Sequence, residues 1–364
     1  MKINNSITFV APFPTNQNIK DGLVSRVAAI DKIFQENHRL YLDISFTKNL
    51  KKKILKQDTV TIYYLNFFIH CLSIIKLCAS STIIYCHTLG RVARIIFPLL
   101  FLRKRYKLIL DIHGTDPEQS LYNQNYVMFI CLALIEKIAF KKIDLLVSVT
   151  NAMASFYKNK YPSYKKEMIC YTILPSTILN QYEIQHNKII SIKDKYSITS
   201  NDIVVIYSGG IHKWQKIDET FNIISKNNYS NIKYFILTNN ILETKKIIAK
   251  NNIKNVVTLS LHPSELIYFY QLAHYGFVLR DDHILNRVAC PTKLMEYLSY
   301  SITPIVDLIE IGDFNTLNYN YLHKEYFNIS NISPKKETRN KKIIENIISK
   351  NNKNVFYLKV MEYA

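Results

Sequence analysis

The sequence predicts an α/β protein with two domains, each built on a mostly parallel sheet. Its 364 residues exceed one comfortable hydrophobic core and suit two domains of roughly 100–200 residues each. Short apolar segments alternate along most of the chain with segments whose apolar residues recur at helical spacing. This pattern is typical of parallel sheets covered by helices. This alternation breaks down at 171–195, where we place a hinge. The predicted domains are therefore 1–185 and 186–340, followed by a terminal segment, 341–364.

The first predicted domain starts with a strand close to the N-terminus. Its predicted strands are 7–12, 40–46, 59–64, 82–86, 107–112 and 145–149. Its predicted helices are 22–34, 69–79, 91–102, 125–140 and 152–160, the last one capped by Thr150 and Asn151. The strand at 107–112 leads into the segment Asp111-Ile-His-Gly-Thr-Asp-Pro-Glu118. Ligands bind at the carboxyl ends of strands in open α/β sheets, so this segment is a candidate site.

The second predicted domain begins with a buried strand at 202–208 that ends in Gly209 and Gly210. A glycine pair directly after a strand is typical of a turn that lets a phosphate group approach the backbone. The other predicted strands are 233–237, 256–259 and 277–279, and the other predicted helices are 218–225, 242–250 and 266–273. Isoleucines at helical spacing predict a last helix within 341–364.

The segment 278–306 reads as strand, loop, helix and strand. Pro291 suits the first helical position, because its missing N–H and fixed φ are harmless there. Since a helix N-terminus offers free N–H groups and a positive dipole, phosphate is expected at Pro291, Thr292 and Lys293. Glu296, one turn further on, is expected to accept hydrogen bonds from ribose hydroxyls. The alternative is an ordinary amphipathic helix with no ligand.

This segment resembles the nucleotide-sugar site of retaining GT-B glycosyltransferases of the group 1 type, family four. The residues that carry the resemblance are Arg280, Asn286, Arg287, Pro291, Lys293, Glu296 and Tyr297. Two positions depart from the pattern. Val288 stands where many relatives have the first of two glutamates, and Ser301 stands where relatives usually end the helix with glycine.

The same resemblance extends more weakly to other parts of the chain. It implies that His113 is catalytic and lies near the transferred sugar, with Glu118 on the acceptor side. Gly22, with Arg26 nearby, loosely matches a helix start that approaches the acceptor; a plain turn explains it equally well. Lys213 or Lys216, after Gly210, would hold the donor diphosphate, and the sequence does not separate them. For His113 the alternative is a loop histidine bonded to backbone.

The resemblance implies two Rossmann-like domains that face a cleft, with a C-terminal helix returning toward the first domain. It also implies transfer of a sugar from a nucleotide diphosphate sugar to a hydroxyl of a glycan or lipid-linked acceptor, with retention of configuration. Capsule, lipopolysaccharide or exopolysaccharide synthesis would be the setting. Arg280, Lys216 and the helix N-terminus would stabilise the departing diphosphate, so neither a cofactor nor a metal is expected. The alternative enzyme is a nucleotide-sugar epimerase with the same architecture, which needs acid and base groups around the sugar ring.

The charge balance predicts an anionic partner. With 47 Lys and Arg against 28 Asp and Glu, the net charge is +19. A nucleic-acid-binding protein is a third class, but no motif of that class accompanies the charge. Two basic clusters predict peripheral contact with an anionic membrane: Arg103, Lys104, Arg105 and Lys107, together with Lys48 and Lys51–Lys53.

Cysteine usage and the N-terminus predict a cytoplasmic location, peripheral at most at the inner face of the plasma membrane. The six cysteines are scattered in apolar contexts without a Cys-x-x-Cys pair, which favours reduced thiols. The N-terminus lacks the apolar core and cleavage site of an export signal. Asp281 and Asp282 form a lone acidic pair, typical of a solvated loop and not of a metal site.

Overall fold

A computed structural model describes residues 6–15, 17–18, 22–101, 105–179, 183–211, 213–251 and 253–363. The chain divides into two compact units. The first comprises Met1–Ile173 together with Asn351–Ala364, and the second comprises Leu174–Lys350. Each unit is an α/β layer structure with its own sheet.

The first unit contains an 8-stranded sheet in the order β3-β4-β2-β1-β5-β6-β7-β8. Its strands are β1 Ser6–Val10, β2 His38–Ser45, β3 Lys53–Gln57, β4 Val60–Asn66, β5 Ile83–His87, β6 Lys107–Ile112, β7 Leu145–Ser148 and β8 Glu167–Cys170. All neighbouring strands are parallel except the antiparallel edge pair β3 and β4. The central strands are covered on both faces, and every residue of β5 is buried.

Helices of the first unit follow the strands in the expected alternation. They are α1 Gly22–Ile33, α2 Cys71–Ala79, α3 Leu89–Val92, α4 Ile96–Phe101, α5 Asp116–Tyr122, α6 Tyr126–Lys142 and α7 Asn151–Lys160. The cap predicted at Thr150 is confirmed, since its side chain accepts from the N–H of Met153 at 3.0 Å. The predicted single helix at 91–102 is wrong, because this segment is divided between α3 and α4.

The second unit contains a 6-stranded parallel sheet in the order β11-β10-β9-β12-β13-β14. Its strands are β9 Ile203–Ser208, β10 Ile232–Leu237, β11 Val256–Leu259, β12 Tyr275–Phe277, β13 Thr303–Val306 and β14 Leu322–His323. Its helices are α8 Ser176–Leu179, α9 His186–Lys195, α10 Ile217–Lys226, α11 Ile241–Lys250, α12 Pro263–Leu272, α13 Ile284–Arg287, α14 Thr292–Ser299 and α15 Arg339–Lys350. The segment 171–195, predicted to be irregular, therefore includes the helices α8 and α9.

Helix α14 packs closely on β12, and a glycine makes this possible. A Cβ at Gly276 would lie 2.4 Å from Cε2 of Tyr297. The Tyr297 hydroxyl accepts from the N–H of Ser208 at 2.9 Å, so the ring connects α14 to the end of β9. At the other end of the helix, Ser301 has φ of 58°, a left-handed conformation that favours glycine.

The last helix, α16 Lys353–Met361, belongs to the first unit. It packs against α1, and the ring of Phe356 stacks on Tyr171 at a centroid distance of 4.1 Å. Within the described ranges, no helix is both long enough and apolar enough to cross a bilayer.

Candidate active site

Both sheets have a point where the strand order reverses, and polar side chains collect there. In the second unit, β9 lies between β10 and β12. The chain leaves β9 through Gly209 and Gly210, and leaves β12 toward Arg280. Crevices at such reversal points are the usual ligand sites of open α/β sheets.

Arg280 is a buried cation in this region. The residue is only 8% exposed, and its backbone N–H donates to Asp307 Oδ1 at 2.8 Å. Nη1 lies 3.5 Å from Asn286 Oδ1, whereas the buried Nε has no hydrogen-bond partner among the described residues. A buried guanidinium N–H without an acceptor is costly, which indicates a place for an anion.

Lys293 is a second buried basic side chain, from the first turn of α14. Its Nζ donates to Gln215 Oε1 at 2.8 Å and lies 4.0 Å from the centre of the Tyr207 ring. Burial, and then the charge of Arg280, hold the pKa of Lys293 well below its usual range. In the described part of the chain, neither Lys293 nor Arg280 has a carboxylate within ion-pair distance.

Gly209 lets the backbone pass close to Lys293. Its φ is +131°, and a Cβ there would lie 3.3 Å from both Cε and Nζ of Lys293. Gly210 follows, and its carbonyl oxygen accepts from the Tyr207 hydroxyl. The predicted glycine turn thus lies directly against the buried lysine.

The N-terminus of α14 adds free N–H groups to these two cations. The helix begins at Thr292, and Pro291 is its N-cap residue. Pro291 was predicted to be the first helical residue, so the helix starts one residue later than predicted. The Pro291 carbonyl accepts from Leu294 at 3.0 Å and from Met295 at 3.3 Å. The N–H groups of Thr292 and Lys293 lie in the first turn, before the first hydrogen-bonded N–H of the helix. They therefore have no acceptor within the helix.

Glu296 is buried one turn further along α14. Its Oε1 accepts from Thr177 Oγ1 at 2.6 Å, and its Oε2 accepts from the Tyr270 hydroxyl at 2.9 Å. Burial raises the pKa of Glu296, an effect that these two hydrogen bonds oppose. Each carboxylate oxygen keeps a second lone pair, so contact with ribose hydroxyls stays a prediction.

The remaining predicted donor residues lie around this site with different partners. Lys216 Nζ is 2.6 Å from Asp307 Oδ2 and 3.1 Å from Glu219 Oε2, so its charge is compensated by carboxylates. Asn286 donates to the carbonyl of Asp281 at 2.8 Å. Arg287 is exposed and donates to both oxygens of Asp282, at 2.6 and 2.9 Å. The side chain of Lys213 lies outside the described structure.

A cavity opens beside the glycine turn. Its volume is about 230 Å³, and its lining includes Gly209, Gly210, Thr238, Asn239 and Leu261. These residues follow the carboxyl ends of β9, β10 and β11. The space adjoins the turn that approaches Lys293, and it offers both apolar and amide groups to a ligand.

In the first unit, the strand order reverses between β1 and β5, and a buried ion pair lies there. Asp111, at the end of β6, is fully buried. Arg26 Nη2 donates to Asp111 Oδ1 at 2.7 Å, and Arg26 Nε lies 3.0 Å from Oδ2. Tyr85 also donates to Oδ2, at 3.0 Å. Arg26 holds the pKa of Asp111 well below its usual range against the effect of burial.

Two histidines border this carboxylate. His87 Nδ1 and His113 Nε2 each lie 3.3 Å from Asp111 Oδ2. Burial lowers the pKa of His87 to about 4 and also lowers the pKa of His113, so both rings are neutral at pH 7. The three side chains have a spacing that a cation would accept. However, Arg26 and Tyr85 already occupy the carboxylate, so we assign no metal role to the group.

The acceptor-side predictions fall elsewhere in the first unit. Glu118 Oε1 accepts from Lys160 Nζ at 2.6 Å, and Lys160 also pairs with the buried Glu136. Gly22 is the exposed first residue of α1, and a Cβ there would meet no atom of a described residue within 4 Å. The structure therefore shows no steric need for glycine at that position.

Several residues of these sites were missed by sequence reasoning. A polar residue that ends an otherwise apolar strand was an available signal for His87, which closes β5. Asp111 lay in the candidate segment 111–118, but no role was assigned to it. Thr177, Gln215, Tyr270 and Asp307 carried no local signal, because their roles arise only from tertiary contacts.

The sequence matches no protein-family model, and it matches no curated protein. Solved structures match over nearly the whole chain. Sucrose-phosphate synthase from Thermosynechococcus elongatus aligns with a TM-score of 0.70 at 10% identity, covering 98% of this chain and 97% of that one. The Anabaena protein HepE in complex with UDP and glucose aligns with a TM-score of 0.66 at 10% identity, covering 97% and 99%.

A third match is the UDP-forming α,α-trehalose-phosphate synthase from Burkholderia xenovorans, with a TM-score of 0.66 at 11% identity and 99% coverage of both chains. These structural neighbours are GT-B glycosyltransferases. At such low identity the likeness concerns architecture, and it confirms the fold predicted from the motif at 280–297. The chain has the GT-B fold.

Proposed function

We propose that this protein is a glycosyltransferase that moves a sugar from a nucleoside diphosphate sugar to a hydroxyl group, with retention of configuration. The observation that carries the proposal is the pair of buried cations, Arg280 and Lys293, beside the free N-terminus of α14. Neither side chain has a carboxylate within ion-pair distance among the described residues, and a diphosphate would supply negative charge beside them.

The residues divide the work according to where they lie. Arg280 Nε, Lys293 Nζ and the N–H groups of Thr292 and Lys293 bind the diphosphate and stabilise the charge that develops as it departs. Gly209 admits the phosphates to this site. Glu296 orients the ribose, and the cavity beside Gly209 and Gly210 receives the base. His113, a neutral ring held by Asp111, binds the sugar; Glu118 and the start of α1 at Gly22 contact the acceptor.

The chemistry needs no protein base in this scheme. The acceptor hydroxyl passes its proton to the phosphate oxygen that leaves, while Arg280 and Lys293 keep that oxygen's charge stabilised. Lys216 is kept as a predicted diphosphate contact, although three acidic side chains surround its ammonium group.

The neighbours suggest where to look first for the donor. Two of the three are described with UDP or as UDP-forming, so UDP-sugars head the panel. We further propose a glycan or lipid-linked acceptor, in surface-polysaccharide synthesis, and a peripheral position at the inner face of the plasma membrane. Exposed lysines, Lys48 and Lys51–Lys53, support contact with anionic lipid.

A binding screen followed by product analysis tests the proposal. Nucleoside diphosphates and their sugars are added to the purified protein, and thermal shift and calorimetry identify the binder. The product formed with candidate acceptors is then assigned by NMR. Binding of a nucleotide sugar and a retained anomeric configuration are expected. An inverted product would overturn the mechanism, and free epimerised nucleotide sugar would support the epimerase instead.

A further inference from the structure

Helix α6 buries its acidic residue and exposes apolar residues, which is the opposite of the pattern expected for a helix at a water-exposed surface. Its one acidic residue, Glu136, is fully buried and accepts from the Tyr161 hydroxyl at 2.6 Å. The outward stripe is instead Val127, Ile130 and Leu134, at spacings of three and four residues, and Val127 is 75% exposed. Because the buried polar contacts fix the rotation of the helix, this apolar stripe is held outward.

Neighbouring helices of the first unit continue this surface. On α2 and the turn before it, Phe68, Ile69 and Leu72 are exposed, and on α4 Phe97 and Leu100 are exposed. Helix α2 packs against α4, and α3 packs against α6. We refer to these exposed side chains as the apolar band: Phe68, Ile69, Leu72, Phe97, Leu100, Val127, Ile130 and Leu134.

The connections of the sheet place the band on one face. Helix α2 joins β4 to β5, α3 and α4 join β5 to β6, and α6 lies between β6 and β7, all within parallel strands. Right-handed crossovers that progress in one direction put their helices on the same face. Helix α1 runs from β1 to β2, in the opposite direction along the sheet, and covers the other face together with α16.

Positive charge follows the apolar residues along two of these helices. On α2, Lys76 comes one turn after Leu72, and on α6, Lys137 and Lys141 continue the stripe after Leu134. All three lysines are exposed. In each helix the apolar residues thus occupy the N-terminal part and the lysines the C-terminal part. Crossover helices start near the carboxyl edge of the sheet, so the band borders the edge that carries His113.

We propose that the apolar band is a membrane-docking surface that enters the boundary between headgroups and acyl chains of an anionic bilayer. Exposed apolar side chains gathered on helices that pack against one another mark an interaction site. Lys76, Lys137 and Lys141 then lie at headgroup level, with their stems along the apolar surface. Charge of one sign suits anionic lipid and repels a second copy of the same face.

The proposal deepens the proposed function, since it brings lipid-linked acceptors to the edge near His113, and it can fail independently. Its distinguishing property is a salt-resistant component of binding. Contacts made only by lysines disappear when salt screens them, whereas inserted apolar side chains remain bound.

Cys131 provides a probe inside the surface. It lies on α6 next to Ile130, and it is the exposed one of the six cysteines. An environment-sensitive fluorophore on Cys131 is titrated with phosphatidylcholine vesicles and with vesicles that contain phosphatidylglycerol, at low and high salt. We expect a blue shift with the anionic vesicles that persists in part at high salt.

Matched variants separate the two contributions. The triple variant Val127→Gln, Ile130→Gln, Leu134→Gln keeps the net charge and is expected to lower the vesicle partition coefficient by at least about tenfold. Leu242→Gln, at an 80% exposed position of α11 in the second unit, is the control and should change it less than about twofold. Lys137→Gln with Lys141→Gln should weaken binding to anionic vesicles only.

The opposing results are equally defined. Equal partitioning of the triple variant and the control would overturn the proposal. A concentration-dependent dimer that the triple variant abolishes, without vesicle binding, would assign the band to a second copy. Nucleotide binding by the same proteins is measured by calorimetry without vesicles. Failure of the proposed enzymatic function would appear there as absent nucleotide binding, independently of the vesicle result.

Discussion

Arg26 faces the carboxylate of Asp111 at 2.7 Å in the first unit, whereas Arg280 and Lys293 have no carboxylate partner in the described part of the second unit. Both groups lie where the order of parallel strands reverses, and both are buried. The ion pair of the first unit is complete without a ligand, and it orients neutral His113. The second unit instead buries two basic side chains, Arg280 and Lys293, without an ion pair of this kind among the described residues. The same topology thus buries a paired charge in one unit and two basic side chains without a close carboxylate in the other, and we propose that only the second binds an anion.

The largest expected effect comes from opening the ion pair. Asp111→Ala leaves the buried Arg26 without a counter-charge, and we expect a loss of about 3–5 kcal/mol in the free energy of unfolding of the first unit. Differential scanning calorimetry of the whole chain measures this loss. The method is suitable because the two units can unfold in separate transitions, which calorimetry resolves. Glu36→Ala, at an exposed position, is the control and should change little.

The counterpart in the second unit should behave in the opposite way. Lys293→Met removes a buried amine that has no carboxylate within ion-pair distance among the described residues, so the stability of the free protein should stay constant or rise by about 1–4 kcal/mol. A large destabilisation would show that Lys293 is already compensated, and the contrast between the units would then be wrong.

Arg280→Ala tests the catalytic consequence of the uncompensated charge. We expect turnover to fall by a factor of roughly 10²–10³, as for other groups that stabilise charge in a transition state. Activity should continue in excess chelator, because these cations stabilise the diphosphate. His113→Ala should reduce turnover with a smaller effect on nucleotide binding. Activity abolished by chelator and restored by manganese would contradict this account.

Glu296→Gln sharpens the comparison at the ribose. The change keeps the shape of the side chain and removes a charge-assisted hydrogen bond, so nucleotide-sugar binding should weaken by about 1.5–3 kcal/mol with the fold intact. Calorimetry with the identified donor measures the change. Unaltered affinity would mean that the carboxylate serves Thr177 and Tyr270 alone.

Ser301→Gly should have the smallest effect. Ser301 closes α14 with φ of 58°, and glycine adopts this conformation without steric cost. We expect a gain of about 0.5–1 kcal/mol in the stability of the second unit, with donor affinity unchanged. A change in affinity would show that the end of the helix, and not only its start, shapes the site.

The sequence predicted the architecture well because periodicity and strand endings are local signals. The strand at Lys107–Ile112 was predicted to the residue, and the motif at 280–297 led to the buried cations. The edge strand β3 was missed, since its exposed residues Lys53, Lys56 and Gln57 resemble a solvated loop. Helix α9 was missed because none of its residues is buried.

The charge balance at each site was beyond sequence reasoning. Arg26 and Asp111 are 85 residues apart, and only the fold brings them together. Lys216 was expected to be free for the diphosphate, but Asp307 lies 91 residues away and pairs with it. Which cation keeps an unpaired charge depends on such distant contacts, so motif spacing alone could not rank Lys216 below Lys293.

Proton uptake on nucleotide binding tests the central claim most directly. Burial and Arg280 depress the pKa of Lys293 in the empty site, whereas a bound diphosphate would raise it, so binding should take up a proton. Calorimetry in buffers of different ionisation enthalpy, near pH 8.5 where the diphosphate is fully ionised, measures this uptake. We expect greater proton uptake per nucleotide for the wild type than for Lys293→Met. Equal uptake by both proteins would contradict the account.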